Sequence, residues 1–348
     1  MEKLAEIVSR FEITGKVTDV KPMGEGLIND TYKVYIDGSD KPQYVLQRIN
    51  NAIFQDVDML MDNINKVTGH LRSKNKNTLL FLKTDAGKSY YFDGSKYWRA
   101  MVFVPDSITY QAVTPEYSYI AGKSFGEFES LLADLHEPLG EIIPDFHNIE
   151  FRLKQLRDAV AEDRVGRVKE VKYYLDEIFK REEKMTLDER LYRNGKLPKR
   201  VCHCDTKVNN MLFDKDGNVL CIIDLDTVMP SFVFSDYGDF LRTAANTGLE
   251  DDPNLDNIDF NMEIFKAFTK GYLESTKDFL LPIEKDNLPY AAMLFPYMQT
   301  VRFLADYING DTYYKIKYPE HNLVRTKAQW RLFERAENKE SEMMENIG

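Results

Sequence analysis

Cysteine is scarce in this sequence. Its 348 residues include three cysteines, Cys202, Cys204 and Cys221. So small and odd a number provides no disulfide framework for a chain of this length, which indicates a reducing compartment. No apolar run reaches the roughly 20 residues that a membrane-spanning helix needs, and the N-terminus lacks the apolar segment of a signal peptide. We therefore expect a soluble, cytoplasmic protein.

Positive charge is also in short supply. The chain has 46 Lys and Arg residues against 57 Asp and Glu residues, a net charge of −11. Nucleic acids and anionic membranes attract proteins with a positive surface field, so neither is an expected partner. A nucleotide remains possible, because a few cations and a metal ion can make one cleft locally positive. Nothing in the sequence indicates an obligate protein partner.

Internal repeats and low-complexity linkers are absent as well. The composition is 43% hydrophobic and 12% aromatic, which is typical of a globular protein with a substantial core. The length allows two domains, or one domain of two lobes.

The first hundred residues contain short segments rich in β-branched and aromatic side chains. These predict six strands, at Lys16–Val20, Thr31–Ile36, Gln43–Ile49, Leu79–Lys83, Ser89–Phe92 and Tyr97–Val104. Apolar residues at helical spacing predict one helix among them, over Gln55–Arg72. Asp37-Gly38 and Asp93-Gly94 are typical turn signals between strands.

After Pro105 long amphipathic stretches replace the strands. The predicted helices lie at about Glu116–His136, Leu153–Arg193, Ile258–Lys277, Asn287–Ile308 and Asn322–Asn346. We therefore predict an α+β fold of two lobes. Residues 1–104 would form a small antiparallel-sheet lobe with one helix. Residues 105–348 would form a larger helical lobe.

A β-rich block between the second and third helical stretches carries the candidate chemistry. It contains His203-Cys204-Asp205, then Asn210 five residues after the aspartate, then an apolar strand that ends at Asp224. The turn signal Asp216-Gly217 lies between Asn210 and Asp224, so a hairpin would bring these two positions together.

This arrangement is typical of phosphoryl transfer, which needs a carboxylate to orient the attacking hydroxyl and oxygen ligands to hold Mg²⁺ on the phosphates. We assign the first role to Asp205, because a carboxylate can accept the hydroxyl proton late in a loose transition state. Asn210 and Asp224 offer the hard oxygen ligands that Mg²⁺ prefers. The short H-x-D-x-x-x-x-N match could arise by chance, and the hairpin with its terminal aspartate makes it more specific.

Neighbouring polar residues have supporting roles in this interpretation. His203 is expected to hold the loop by hydrogen bonding. Asp226 is either a second metal contact or a buried structural group. Asp239 is expected to brace a loop through backbone N–H groups at the start of a helix. The segment 202–204 has no second ligand pair at zinc spacing, so its two cysteines are expected to pack in the core.

Three stretches extend the pattern over most of the chain: Gly26–Tyr32, His203–Pro230 and Arg302–Gln329. Together they resemble the aminoglycoside phosphotransferase and choline kinase-like superfamily, and within it the N-acetylhexosamine 1-kinases. The resemblance implies a protein-kinase-like fold, ATP and Mg²⁺ as cofactors and a small hydroxyl compound as acceptor.

Two residues of the third stretch gain a role from this resemblance. Arg302 and Tyr313 would line a sugar pocket in the helical lobe. From the residue pattern alone, Arg302 could instead lie along an apolar surface with its charge in water. Tyr313 could equally be a core residue.

The resemblance also implies a nucleotide site in the first lobe. Gly24 and Gly26 would cover the phosphates, although two glycines are also typical of an ordinary hairpin turn. Phe103, in the segment 101–104, would lie in a hinge that faces adenine; simple burial is the alternative.

Arg48 occupies the place where this superfamily has a phosphate-pairing cation. Its guanidinium fork can bind phosphate oxygens. The acidic partner on the following helix is left open between Asp58 and Asp62.

The leading hypothesis is a kinase that transfers phosphate from MgATP to the anomeric hydroxyl of N-acetylglucosamine or N-acetylgalactosamine. The alternative acceptors are another sugar, choline or an aminoglycoside, and a cationic acceptor would need carboxylates or an aromatic cage. The net charge of −11 mildly favours a cationic acceptor, whereas Arg302 in the pocket argues against one. A catalytically inactive nucleotide-binding module is the alternative of another class, and it would have no use for Asp205.

Overall fold

The structure is a computed structural model and describes residues 2–24, 28–110 and 113–347. The chain divides into two compact units. The first comprises residues 1–110, 134–144 and 209–229, and the second comprises residues 111–133, 145–208 and 230–348. Three segments that follow the predicted boundary at residue 104, namely residues 105–110, 134–144 and 209–229, therefore belong to the first unit.

The first unit is built on a five-stranded antiparallel sheet. Its strands are β1 (Val17–Pro22), β2 (Asp30–Ile36), β3 (Tyr44–Ile49), β4 (Tyr91–Phe92) and β5 (Tyr97–Val102), in the spatial order β1-β2-β3-β5-β4. The predicted antiparallel sheet is present, with one or both ends of each of the five strands shifted by one or two residues.

A short helix that the sequence analysis did not predict covers part of this sheet. Helix α1 (Glu2–Val8) buries Ile7 and Val8 in one apolar cluster with Val34 and Leu46. Seven residues are too few to display a helical period in the sequence, which explains the omission.

The strand predicted at Leu79–Lys83 is wrong. This segment forms only an isolated bridge between Phe81 and Met101, together with two backbone hydrogen bonds of 2.9 Å to Ala100 and Val102. Strand β3 pairs along the whole of one edge of β5, and strand β4 pairs with the start of the other edge, where residues 79–83 also lie. The part of this β5 edge that β4 leaves free is therefore too short for residues 79–83 to pair as a strand.

Helix α2 (Val57–Ser73) confirms the predicted helix of this unit. Asp56 caps it by accepting a backbone N–H of the first turn at 2.8 Å. Its buried Asn63 donates through Nδ2 to the carbonyl oxygens of Gly140 and Val228 at 2.8 and 3.0 Å. These bonds fix the two later segments of the chain within the first unit.

The predicted hairpin of the β-rich block is also present. Strand β7 (Met211–Phe213) pairs antiparallel with β8 (Val219–Ile222). Asp214 accepts two backbone N–H groups of the turn at 2.8 and 2.9 Å. Gly217 takes a φ of 82°, which a glycine adopts without steric strain.

The second unit is mainly helical. Its helices are α3 (Pro115–Leu132), α4 (Ile149–Glu162), α5 (Lys172–Met185), α6 (Leu187–Arg193), α7 (Phe234–Ala244), α8 (Met262–Thr276), α9 (Pro282–Asp286), α10 (Leu288–Ile308), α11 (His321–Glu337) and α12 (Glu340–Ile347). Strands β6 (Arg200–Cys202) and β9 (Met229–Ser231) flank the hairpin in the sequence. Within the described ranges, no helix has the length and apolar character needed to cross a membrane.

Two of the predicted long helices are interrupted. The stretch predicted at Leu153–Arg193 forms α4, α5 and α6, and α4 ends at Asp163, which has a φ of 36°. The stretch predicted at Asn322–Asn346 forms α11 and α12. Amphipathic periodicity continues across such short breaks, so it does not reveal them.

Helix α10 is the central helix of the second unit and packs against α4, α7 and α11. Every residue of α10 is buried except Arg302. A half-exposed arginine on an otherwise buried helix is unusual, and it marks the position where a cavity meets the core.

Helices α3 and α8 pack closely through two glycines. A Cβ at Gly122 would lie 2.1 Å from the carbonyl oxygen of Phe268, and one at Gly271 would lie 2.1 Å from that of Tyr119. Because the atoms met belong to the backbone, rotation of a side chain cannot relieve the overlap. The spacing of the two helices depends on these glycines.

We expect Gly122→Ala and Gly271→Ala each to lower the free energy of unfolding by about 2 to 4 kcal/mol, because the helices must separate. The control is Gly69→Ala in α2, where a Cβ meets nothing within 4 Å. That variant should be more stable than the original protein by up to about 1 kcal/mol. Urea denaturation measures all three, and an unchanged midpoint for Gly122→Ala would contradict the close packing.

Candidate active site

The loop that follows β6 carries the candidate catalytic residue, and helix α7 holds its backbone. Asp236 accepts the backbone N–H of His203 through Oδ2 and that of Cys204 through Oδ1, both at 2.7 Å. Cys204 has a φ of 62°, which is uncommon for a residue with a side chain. The two hydrogen bonds stabilise this turn and so determine the position of the next residue, Asp205.

His203 and Asp239 bind the same loop. His203 is fully buried, and its Nδ1 accepts the backbone N–H of Asp205 at 3.3 Å. Asp239 accepts the backbone N–H of Thr206 at 3.1 Å. Both side chains therefore contact the backbone of the loop, and their supporting roles in catalysis stay predictions.

Asp205 forms an ion pair with Lys207, with 2.5 Å between Oδ1 and Nζ. Burial disfavours the charged form of this lysine, but Asp205 and Asp239 together raise the pKa of Lys207 above its ordinary value. The loop therefore presents a carboxylate and an ammonium group side by side.

Asp205 lines a cavity of about 230 Å³ in the second unit. The residues around this cavity come from the loop after β6, from α7, α10 and α11, and from three connecting segments. They are Phe146, His147, Cys204, Asp205, Lys207, Asp239, Arg242, Glu250, Phe295, Met298, Gln299, Arg302, Phe303, Tyr314 and Arg325.

Every carboxylate of this lining has a cationic partner. Asp205 pairs with Lys207. Arg242 lies 3.4 Å from Asp239 and 2.7 Å from Glu250. Burial raises the pKa of Asp239, although Arg242 and Lys207 oppose that effect. The lining therefore offers an entering molecule no carboxylate that is free of a positive neighbour.

Arg302 has no ion pair with a carboxylate among the described residues. Its Nη1 donates to Oε1 of Gln299 at 3.1 Å. The guanidinium lies 5.8 Å from the ring centre of Phe146 and 5.7 Å from that of Tyr314. Its positive charge is therefore turned toward aromatic faces and the cavity.

Arg325 is the second cation of the cavity without a carboxylate partner in the described part of the chain. Its Nη1 donates to Oδ1 of Asn322 at 2.9 Å, while its buried Nε has no hydrogen-bond partner there. Burial, and then the charges of Arg302 and Arg152, lower the pKa of the neighbouring His147. This side of the cavity is therefore electropositive.

The structure separates the two residues that the resemblance assigned to the sugar. Arg302 lines the cavity, whereas Tyr313 is not among the lining residues and is 74% exposed, so it is not a core residue. Its ring lies 4.8 Å from that of Tyr314, which does line the cavity. Asp306 holds both tyrosines by accepting their backbone N–H groups at 2.8 and 3.0 Å. The role of Tyr313 as an acceptor contact stays a prediction.

The proposed metal ligands lie on the hairpin of the first unit. The carbonyl oxygen of Asn210 accepts the backbone N–H of Ile223 at 2.9 Å, and Ile223 directly precedes Asp224. Asp224 has a φ of 59°, a conformation that Asp tolerates better than most residues. The pairing brings Asn210 and Asp224 to the same end of the hairpin, and their role as metal ligands stays a prediction.

Asp226 is held by protein groups on both carboxylate oxygens. Arg99 forms an ion pair with it in which both side chains are under 5% exposed. The same carboxylate accepts from Nδ2 of Asn29 at 2.6 Å. The role of Asp226, as a second metal contact or as a buried structural group, stays a prediction.

Arg48 pairs with Asp30, and neither of the two acidic residues considered from the sequence takes part. The Nε of Arg48 donates to Oδ2 of Asp30 at 2.5 Å, because the two residues are register partners on β3 and β2. Asp58 and Asp62 form ion pairs with lysines instead.

The structure describes two of the three other residues predicted for the nucleotide site. Gly24 has a φ of 67°, and Gly26 lies outside the described residues. Phe103 follows β5, is partly buried, and donates its backbone N–H to the carbonyl oxygen of Gln43 at 2.9 Å. Their roles at the nucleotide stay predictions.

Three cationic residues of the cavity were missed in the sequence. Lys207 lies two residues after Asp205, and this short spacing was the available signal. Arg242 lies three residues after Asp239, the spacing of neighbours on one helix face. Arg325 has no local signal, because its approach to the cavity depends on how α11 packs.

Three solved structures share this fold over almost their whole length. A microcompartment-associated aminopropanol kinase aligns with a TM-score of 0.63 and 13% identity, covering 100% of this chain and 99% of its own. A spectinomycin phosphotransferase in complex with ADP and spectinomycin aligns with a TM-score of 0.59 and 13% identity, covering 99% of this chain and 97% of its own. A choline/ethanolamine kinase family protein from Mesorhizobium loti aligns with a TM-score of 0.55 and 15% identity, covering 100% of this chain and 99% of its own. These likenesses confirm the predicted kinase-like α+β fold.

The amino-acid sequence provides the family. It matches the phosphotransferase enzyme family over residues 19–267, a range that contains the loop with Asp205 and the hairpin with Asn210 and Asp224. The predicted phosphotransferase family is confirmed at this level. The chain therefore belongs to the phosphotransferase enzyme family.

Proposed function

We propose that this phosphotransferase is an ATP-dependent small-molecule kinase that phosphorylates the anomeric hydroxyl of an N-acetylhexosamine, N-acetylglucosamine or N-acetylgalactosamine. The observation that supports the proposal is the charge pattern of the cavity beside Asp205. Its carboxylates are paired with cations, and Arg302 and Arg325 have no carboxylate partner among the described residues.

This charge pattern disfavours a cationic acceptor. An aminoglycoside or choline would bring positive charge next to Arg302 and Arg325, and like charges close together in a partly desolvated site repel strongly. An N-acetylated sugar has no charge, and its acetamido oxygen can accept a hydrogen bond from a guanidinium group. The aromatic rings of Phe146 and Tyr314 offer flat apolar surface for a sugar ring.

Asp205 is the proposed catalytic base. Its carboxylate would accept a hydrogen bond from the acceptor hydroxyl and receive the proton as the bond to phosphorus forms. Lys207, whose pKa is raised by Asp205 and Asp239 despite burial, carries a positive charge beside this carboxylate.

Asn210 and Asp224 are the proposed Mg²⁺ ligands. Both offer hard oxygen atoms, and the hairpin pairing holds them at one end of the same small sheet, so the donor set fits this ion. When bound, Mg²⁺ neutralises charge on the phosphates of ATP. Gly24 and Arg48 are proposed to contact those phosphates, and Phe103 to lie beside adenine.

The catalytic role of Asp205 predicts a large loss of rate in Asp205→Asn. We expect ATP turnover with N-acetylglucosamine to fall by roughly 10²–10⁴, because an amide cannot accept the proton. The affinity for ATP should stay within about twofold, since the change lies at the acceptor end of the reaction. A coupled assay of ADP formation measures the rate, and calorimetric titration measures the affinity.

The matched control is Asp158→Asn on α4, which removes an exposed carboxylate paired with Lys154 and should leave both values unchanged. If Asp205→Asn retained full activity, the assigned role of Asp205 would be wrong. Absence of ATP turnover in the unmodified protein with every acceptor of a broad panel would favour the inactive nucleotide-binding module instead.

The acceptor proposal predicts a defined order of substrates. N-acetylglucosamine or N-acetylgalactosamine should be phosphorylated with higher kcat/KM than glucosamine, choline or kanamycin. In Arg302→Met the kcat/KM for the N-acetylhexosamine should fall roughly 10- to 100-fold, since a hydrogen bond to a charged group contributes about 1.5–3 kcal/mol. Arg331→Met, which removes a partly exposed arginine of α11, is the control. A cationic acceptor with the highest kcat/KM would refute the proposal.

A further inference from the structure

Two buried carboxyl groups lie side by side in the second unit, next to the loop that carries Asp205. Glu129 on α3 is 1% exposed and Asp236 on α7 is fully buried. One carboxylate oxygen of each and the Sγ of Cys202 all lie within 4.8 Å of one another. The reaction described above uses neither carboxyl group directly, so their proximity needs its own explanation.

The hydrogen bonds of the pair are unequal. Both oxygens of Asp236 accept backbone N–H groups, from His203 and Cys204, at 2.7 Å. Glu129 accepts from the hydroxyl of Tyr272 through Oε2 at 2.5 Å, while its Oε1 has no partner among the described residues. A buried carboxylate oxygen without a donor is unfavourable, whereas a protonated carboxyl group at the same place becomes a donor itself.

The charges around the pair also oppose two ionised carboxylates. Glu284 on α9 is a third buried carboxylate nearby, and Arg200 on β6 already pairs with it at 2.8 Å. Tyr272 on α8 and the thiol of Cys202 on β6 are neutral donors. Burial, and then Asp236, raise the pKa of Glu129 well above its ordinary value. Burial also raises the pKa of Asp236, but His203 and the backbone donors oppose the shift.

A metal ion does not fit this cluster. The two oxygens of Asp236 are occupied by backbone donors, and the thiol of Cys202 donates to the carbonyl oxygen of Phe232 at 3.3 Å. Burial raises the pKa of that thiol, whereas metal binding requires a thiolate. A proton is the cation that the geometry accommodates.

We propose that Glu129 keeps its proton and shares it with Asp236, so that the pair carries a single negative charge. The shared proton removes the repulsion between the two carboxyl groups and leaves Asp236 ionised to hold the backbone of His203 and Cys204. Glu129 is thus a positioning residue that acts through Asp236 on the turn before Asp205. The effect of that turn on catalysis rests on the proposed role of Asp205, whereas the shared proton does not depend on that role.

The sign of the pH dependence follows from the direction of the shift. A carboxyl group with a raised pKa in the folded protein binds a proton that the unfolded chain releases above about 4.5, the ordinary value. Its contribution to stability is complete below that pH and is lost as the pH rises through the folded-state pKa. Ionisation of Glu129 at alkaline pH would also loosen the turn held by Asp236.

The test compares Glu129→Gln with the unmodified protein between pH 5 and pH 10. The amide can donate to Asp236 and accept from Tyr272, and it does not titrate. We expect the melting temperature of Glu129→Gln to rise relative to the unmodified protein as the pH increases, and its activity to persist to higher pH. Glu129→Leu, which cannot donate, should lose at least tenfold in kcat with little change in the KM for ATP.

The matched control is Glu274→Gln, since Glu274 also accepts from a tyrosine, Tyr119 at 2.6 Å, but at the surface. Its pH profile should follow that of the unmodified protein. Infrared spectroscopy provides a readout that needs no substrate: the absorption of a protonated carboxyl group at pH 7 should disappear in Glu129→Gln and persist in Glu274→Gln. An unchanged spectrum in Glu129→Gln, parallel melting profiles, or a metal ion bound at Cys202 would each overturn the proposal.

Discussion

The hydrogen bonds that Asp236 accepts from two consecutive backbone N–H groups are the interaction on which the candidate active site depends. They stabilise a turn in which Cys204 adopts a φ of 62°, a conformation that a residue with a Cβ rarely takes. Burying a carboxylate is unfavourable unless its oxygens receive hydrogen bonds, and here the turn itself provides them. The carboxylate and the turn therefore stabilise each other, and the direction of Asp205 follows from α7 and not from a preference of its own side chain.

The electrostatic surroundings of the cavity beside Asp205 differ from those of Asp236. Around Asp236 a buried negative charge is satisfied by protein donors, whereas Arg302 and Arg325 have no carboxylate to satisfy them in the described part of the chain. A guanidinium group in a half-buried position is stabilised by any hydrogen-bond acceptor that enters. These charges therefore support the proposed acceptor, an uncharged molecule rich in oxygen atoms, and disfavour an ammonium group.

Local sequence patterns were sufficient for the parts of the molecule that short segments determine. Alternation and turn signals predicted the sheet, helical spacing predicted α2, and Asp216-Gly217 predicted the hairpin that brings Asn210 and Asp224 together. The cavity could not be predicted in this way, because its lining comes from α7, α10 and α11, which are far apart in the sequence. The strand at Leu79–Lys83 failed for a related reason: its propensity was adequate, but β4 occupied part of the edge that it needed.

The overall charge of the chain and the charges of the cavity favour different acceptors, and the reason is the range of electrostatic forces. The net charge of −11 includes many surface carboxylates, such as Asp158 and Asp176, that pair with lysines one helical turn away. Salt screens such exposed charges over about 8–10 Å, so they contribute little inside a cavity. The partly buried arginines are screened far less because little water surrounds them. Four cationic side chains face three carboxylates in the lining, and the proposal of an uncharged acceptor rests on this local excess and not on the net charge of the protein.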